Sequence, residues 1–97
     1  MMQVGVFQFH PQLNGWNLNS GTGQRSFRSP DIHFQPPFAG TPQILLALSG
    51  IDSEHTTNLR ITVHPDDIES EEFNIVVNTW DDTLIYSVNV TWMVFDG

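Results

Sequence analysis

Three stretches of the chain alternate apolar and polar side chains with a period of two. In Phe73–Trp80, Phe73, Ile75 and Val77 share one side, and Asn74, Asn78 and Trp80 share the other. From Leu84 to Phe95, the residues Leu84, Tyr86, Val88, Val90, Trp92 and Val94 have one parity; Ser87, Asn89 and Thr91 have the other. Leu59, Ile61 and Val63 oppose Asn58, Arg60 and Thr62. Successive side chains of a strand point to opposite faces, so each stretch predicts an antiparallel strand with one buried face. Gln43–Ile51 is a nearly continuous apolar run and predicts a central strand covered on both faces. Met2–Phe9 and Arg25–Phe34 are weaker strand candidates.

No stretch has the period of an amphipathic helix. Asp66–Glu72 could form one acidic turn, but Ile68 alone gives it no face to bury. Breakers separate the strands: Pro11–Gly23, the Gln35–Pro42 segment with its three prolines, and Asp81-Asp82. The longest, Pro11–Gln24, is rich in Asn, Gly and Ser, and aperiodic loops of that length are usually functional. Five or six strands joined by polar loops read as an all-β sandwich.

Length and charge narrow the functions available. Ninety-seven residues make one domain, 1–97, whose core excludes only about 60–70% of the unfolded surface from water. Association with other copies is a natural supplement. The net charge is −8, and the only cations besides the chain's amino terminus and histidines are Arg25, Arg28 and Arg60. Nucleic-acid phosphates and anionic membrane surfaces therefore find no basic patch. No apolar run approaches the roughly 18 residues of a membrane span, and no basic stretch with an apolar block opens the chain. These features predict a soluble chain without membrane insertion or a signal peptide. They leave its localisation open. Only 14% of residues are charged and 11% are aromatic, which argues against disorder despite the net charge. The absence of cysteine excludes disulfides and thiolate chemistry.

Candidate chemistry is sparse. No serine sits in a nucleophile elbow, so the histidines and carboxylates read as solvated surface rather than a triad. His64-Pro65-Asp66-Asp67 with Glu69 lacks the second imidazole of most zinc sites and the spacing of a calcium loop. A solvated acidic turn explains it, and His55 beside Glu54 carries less still. Asn89-Val90-Thr91 matches a glycosylation acceptor but falls mid-strand. Trp80 is more telling, because parity places it on a polar face just before the Asp81-Asp82 turn. Tyr86 enters the returning strand, and Arg60 is a scarce cation set mid-strand. An exposed ring, a phenol, a guanidinium and a carboxylate suit a neutral polyol, whose C–H patch stacks while its hydroxyls bind charged groups. Packing under a loop for Trp80, or pairing of Arg60 with Asp52 or Glu54, are the structural alternatives.

Asn58-Leu59-Arg60-Ile61, Thr79-Trp80-Asp81-Asp82-Thr83-Leu84-Ile85-Tyr86-Ser87 and Val90-Thr91-Trp92 together resemble the H-type lectin domain. That family is known from the snail agglutinin and the carboxy-terminal domain of slime-mould discoidins. The likeness runs upstream through Ile32-His33-Phe34, Pro36-Pro37-Phe38 and Pro42–Leu48, and Gly15-Trp16 is similar to a pair in the first family loop. The resemblance implies a six-stranded antiparallel β-sandwich, a homotrimer, and binding of galactose or N-acetylgalactosamine without metal or other cofactor near subunit boundaries. It implies that Arg60 bonds sugar hydroxyls and that Trp80 and Tyr86 form an aromatic wall with a phenolic hydroxyl. Asp81 takes the polar position after the tryptophan, and Gly21 a backbone contact.

Two positions depart from the snail lectin. Gly23 stands where that lectin has a sugar-gripping aspartate, and Asp81 stands where it has histidine. Asp81 or Asp82 is left as the candidate replacement acceptor. The expectation is a non-enzymatic glycan-binding trimer, with polar faces around the axis and Val76 and Met93 packed between subunits. The alternative is a structural oligomerisation or attachment domain of the same fold that has lost sugar binding. Three chains at −8 each carry −24, which favours a neutral sugar over a sialylated surface.

Overall fold

The computed structural model describes residues 1–97 as two packed antiparallel sheets without helices. Its strands are β1 (Met2–Phe9), β2 (Arg25–Arg28), β3 (Ile32–His33), β4 (Gln43–Ser53), β5 (Ile61–Asp66), β6 (Glu72–Thr79) and β7 (Ile85–Phe95). One sheet has the order β1-β7-β4; in the other, β6 pairs with β2, β3 and β5. The seven strands reduce to the six expected, because β2 and β3 are one interrupted strand along the same side of β6. Phe27 pairs with Val77 and Ile32 with Phe73, a slip of one residue. The break falls at Pro30, which has no N–H to offer the ladder. Ser29 bridges it: its N–H donates to the Ile75 carbonyl at 2.8 Å and its Oγ accepts the Ile75 N–H at 2.9 Å.

The core lies between β6 and β7. Phe73, Ile75 and Val77 on one strand face Ile85, Val88, Val90 and Val94 on the other, all fully excluded from water. Phe34 stacks on Phe73 at 5.5 Å between ring centroids, and Phe38 meets Phe34 edge-on at 5.1 Å. Asn74 has outward parity yet is buried, because every polar group it carries is satisfied. Its amide donates to the Ser29 carbonyl and the Asp31 carboxylate, and its oxygen accepts from Arg28. At the far end of the sandwich, the Met1 amino group pairs with Asp96 at 2.6 Å.

Two expectations need correction. β4 is an edge strand rather than a doubly covered one, and Leu45 on its outer face is 61% exposed. The apolar run reflects two apolar faces, only one of which the chain covers itself. The parity of β7 holds from Val88 onward but not before. Ser87 pairs with Asp52 and Ile85 with Ser53, so Tyr86 is an extra residue that puts Ile85 in the core. Val76 and Met93 lie in different sheets, on β6 and β7, so two different faces would have to meet for both to pack between subunits.

Gly5 pairs with Trp92, whose ring lies across it; a Cβ there would stand 2.6 Å from Trp92 Cε2. Gly5→Ala is therefore expected to cost about 1–3 kcal/mol through overpacking. Thermal unfolding followed by circular dichroism should show a fall of several degrees, and an unchanged midpoint would contradict the close approach.

Candidate functional site

The β6–β7 connection, Trp80–Leu84, crosses from one sheet to the other at the end of the sandwich where the long loop also lies. Asp81 within it adopts a left-handed backbone with φ of 62°. Its carbonyl is thereby freed from the sheet and accepts two donors, the Gly23 N–H at 2.8 Å and Arg25 Nη2 at 3.2 Å. Arg25 also donates through Nη1 to the Ser20 carbonyl at 2.9 Å and through Nε to the Gly23 carbonyl at 3.1 Å. Gly21 and Gly23 have φ of 78° and 82°, a region that side chains with a Cβ seldom adopt. Deeper in the loop, buried Leu18 accepts the Ile85 N–H on its carbonyl at 2.7 Å, and Trp16 packs on Phe27.

Arg60 does not stand mid-strand as the alternation suggested; it immediately precedes β5. Its N–H donates to Thr83 Oγ1 at 2.8 Å, and that hydroxyl donates to the Asn58 carbonyl at 2.7 Å. Thr83 is fully buried, so losing this hydroxyl would strand two backbone groups at about 1–3 kcal/mol each. The Asn58 N–H and side-chain amide both donate to Asp82 Oδ1 at 3.2 Å. The segment before β5 is thus sewn to the β6–β7 connection. From this seat Arg60 Nε reaches Asp81 Oδ2 at 3.3 Å. Both side chains are about half exposed, so the pair orients the two groups more than it stabilises the fold. Trp80, beside Asp81, is 40% exposed.

Tyr86 follows a different line. Its hydroxyl donates to Glu54 Oε2 at 2.8 Å, and the Glu54 N–H donates to the Leu84 carbonyl at 3.0 Å. That hydroxyl and the Thr56 amide hold the Glu54 carboxyl below the usual carboxylate range, while the carboxylate raises the Tyr86 hydroxyl. Hydrogen bonds therefore join Arg60 to Asp81 and Asp81 to Gly23, while the Arg25 bonds to Ser20 and Gly23 hold Gly21 between them. Trp80 adjoins them in the chain, and Tyr86 bonds to Glu54 and to none of them.

The other candidates have ordinary explanations. Asp66 and Asp67 both pair with Arg28, and His64 Nδ1 lies 3.3 Å from the Asn78 amide. His55 pairs with Glu54 at 3.0 Å. Asn89 is half-buried in the central strand β7. No group of three or more His, Asp or Glu side chains is arranged to hold a metal. Sequence reasoning gave Arg25 and Thr83 no role in the site and weighed Glu54 only as a partner for Arg60, whereas Arg60 bonds Asp81 and Glu54 accepts from Tyr86. The signal for Arg25 was available: it is one of three cations, at the edge of a loop of Gly, Ser and Asn.

The model of the H-type lectin domain matches residues 29–95. The chain belongs to the H-type lectin domain family. It is 36% identical over 95 residues to the ATP synthase subunits region ORF 7 protein of Fuscovulum blasticum, covering 93% of this chain and 82% of that one. It is 35% identical over 77 residues to a discoidin-1 polypeptide of Dictyostelium discoideum, across 78% of this chain. This lectin domain spans only 30% of that discoidin. Discoidin II of the same organism superposes with a TM-score of 0.85 at 21% identity, over 99% of this chain and 36% of its own. The domain therefore has the fold of a carbohydrate-binding lectin.

The Glu54–Tyr86 bond has a pH signature. A carboxyl lowered in the folded state contributes stability that is present above its unfolded value and lost as pH falls through the lowered one. In Tyr86→Phe, the Glu54 titration followed by NMR should move upward toward the ordinary carboxylate value. A titration unchanged from wild type would show that the phenol does not hold Glu54.

Proposed function

We propose that this lectin domain binds neutral sugars of the galactose or N-acetylgalactosamine type without a metal, and that it does so as a non-enzymatic homotrimer. The observation that carries the reading is the Arg60–Asp81 pair. Arg60 commits only Nε to Asp81, which leaves both terminal nitrogens without a partner in the chain. Asp81 likewise has an uncommitted Oδ1. Adjacent hydroxyls of a sugar can accept from the guanidinium and donate to the carboxylate at once, with charge-assisted bonds in both directions. Trp80, next to Asp81 in the chain and exposed, would offer a ring face for the sugar's C–H patch.

This geometry favours Asp81 over Asp82 as the acceptor that Gly23 does not supply, because Asp82 Oδ1 already accepts both Asn58 donors. Nothing lies within 4 Å of where a Gly23 Cβ would be, so that side of the site is open. Tyr86, turned toward Glu54, is assigned to the wall of a cleft that closes at the boundary between subunits.

The trimer reading draws on the outer face of the β1-β7-β4 sheet. Val4, Met93 and Leu45 lie in one row across it, with Val4 56% and Leu45 61% exposed. Met2 and Val6 extend the patch along β1, at 60% and 56% exposed. A contiguous apolar sheet face of this kind is a surface for burial against other copies. This apolar face is proposed in place of the polar one expected from the sequence. Three shallow sites on one trimer would raise weak single-site affinity by engaging a glycan-coated surface together.

Calorimetric titration with N-acetylgalactosamine and galactose tests the sugar site. Arg60→Ala and Trp80→Ala are each expected to weaken binding by about tenfold or more, equivalent to about 1.4 kcal/mol. Binding that survives both substitutions would misplace the site. A wild-type protein that binds no glycan on an array favours the second reading, a structural attachment domain, which the missing acceptor at Gly23 motivates. For assembly, sedimentation equilibrium should give a trimer for wild type and a monomer for Val4→Glu with Leu45→Glu; a wild-type monomer at micromolar concentration would refute it.

A further inference from the structure

β2 is only four residues long, yet it carries an arginine at each end. Arg28 is held as surface arginines usually are: it pairs with Asp66 and Asp67 and donates to the Asn74 side chain. Arg25 has no carboxylate partner. Each of its three nitrogens donates to a backbone carbonyl: Nε to Gly23, Nη1 to Ser20 and Nη2 to Asp81. The first two carbonyls come from the long loop, and the third from a residue 56 positions away in the β6–β7 connection.

Those carbonyls need a donor. Gly23 and Asp81 have left-handed backbones, which turn their carbonyls out of any strand ladder. Without the guanidinium, one bond alone, from the Gly23 N–H to the Asp81 carbonyl, links the tip of the long loop to the connection. The loop tip is Ser20-Gly21-Thr22-Gly23, and its two glycines have the widest backbone freedom to regain. A planar guanidinium presents its donors in a fixed fork, so it can set the spacing of three acceptors in a way an ammonium cannot.

We infer that Arg25 is a positioning residue of the sugar site: it holds the Gly21–Gly23 backbone at a set distance from the Asp81–Arg60 pair. This rests on the lectin reading above. Arg25 acts through the backbone it clamps and needs no contact with the sugar. Removing it frees the loop tip, and binding must then re-order that tip at a cost in affinity.

The test compares Arg25→Met, Arg25→Lys and Arg28→Met with wild type, as assembled protein, well below the unfolding temperature of each. Arg28→Met removes an arginine of the same strand but leaves the loop clamp in place. Two readouts are taken: the affinity for N-acetylgalactosamine and galactose, and amide hydrogen exchange at Gly23 alongside core amides of β6 and β7. Arg25→Met is expected to weaken sugar binding by about tenfold or more, with Arg25→Lys intermediate and Arg28→Met within about twofold of wild type. Exchange at Gly23 should accelerate in Arg25→Met, less so in Arg25→Lys and not in Arg28→Met, with the core amides unchanged. If wild type binds sugar and Arg25→Met binds as well, or Arg28→Met loses as much, the assignment of Arg25 fails while the lectin reading stands. Unchanged exchange at Gly23 in Arg25→Met also overturns it. If wild type binds none of the sugars, the lectin reading fails and the positioning role goes with it.

Discussion

Phe73, Ile75 and Val77 on β6 must be excluded from water together with Ile85, Val88, Val90 and Val94 on β7, and these two strands lie in different sheets. They are also consecutive in the chain. The five residues between them, Trp80–Leu84, therefore have to leave one sheet and enter the other at a single end of the sandwich. A link that short cannot keep its backbone groups in either ladder, so it takes partners from loops. That one burial requirement explains the left-handed Asp81, the buried Thr83 hydroxyl, and the gathering of loop segments at the same end.

The consequence is a site assembled mainly from main chain. Arg60 stands where it does because its N–H and the Asn58 carbonyl share the Thr83 hydroxyl. Gly23 stands where it does because its N–H meets the Asp81 carbonyl. The side chains that would meet a ligand are then about half exposed and lightly committed. A surface of that kind suits a polar ligand that exchanges water hydrogen bonds for protein ones, each with a small net gain.

How far the fold could be read from sequence depended on which face covered which. The inner face of β6 was legible because Phe73, Ile75 and Val77 keep one parity while Asn74 and Asn78 keep the other, with Val76 the one apolar residue out of step. The place of β4 was not, since Leu45 is as apolar as a core residue and periodicity does not tell a face covered from within from one left open. Tyr86 lost its parity to a single extra residue in β7, a feature of pairing that has no local signature. At the site, the scarcity of cations pointed to Arg60, and motif likeness to Trp80 and Asp81. The same scarcity marked Arg25, but its role stayed hidden because its partners are backbone carbonyls, and a carbonyl has no letter in the sequence. The same holds for Thr83, whose hydroxyl serves two backbone groups.

The pairing of the Met1 amino group with Asp96 brings both chain ends together at one pole. The candidate site lies at the other pole, since β1 runs from Met2 beside Phe95 to Phe9 beside Val88, a span of roughly 24 Å at about 3.4 Å per residue. A polypeptide joined at either end would therefore emerge from the base of the domain, with the loop end pointing outward. With the ends at one pole and the candidate site at the other, a joined polypeptide would leave the loop end clear.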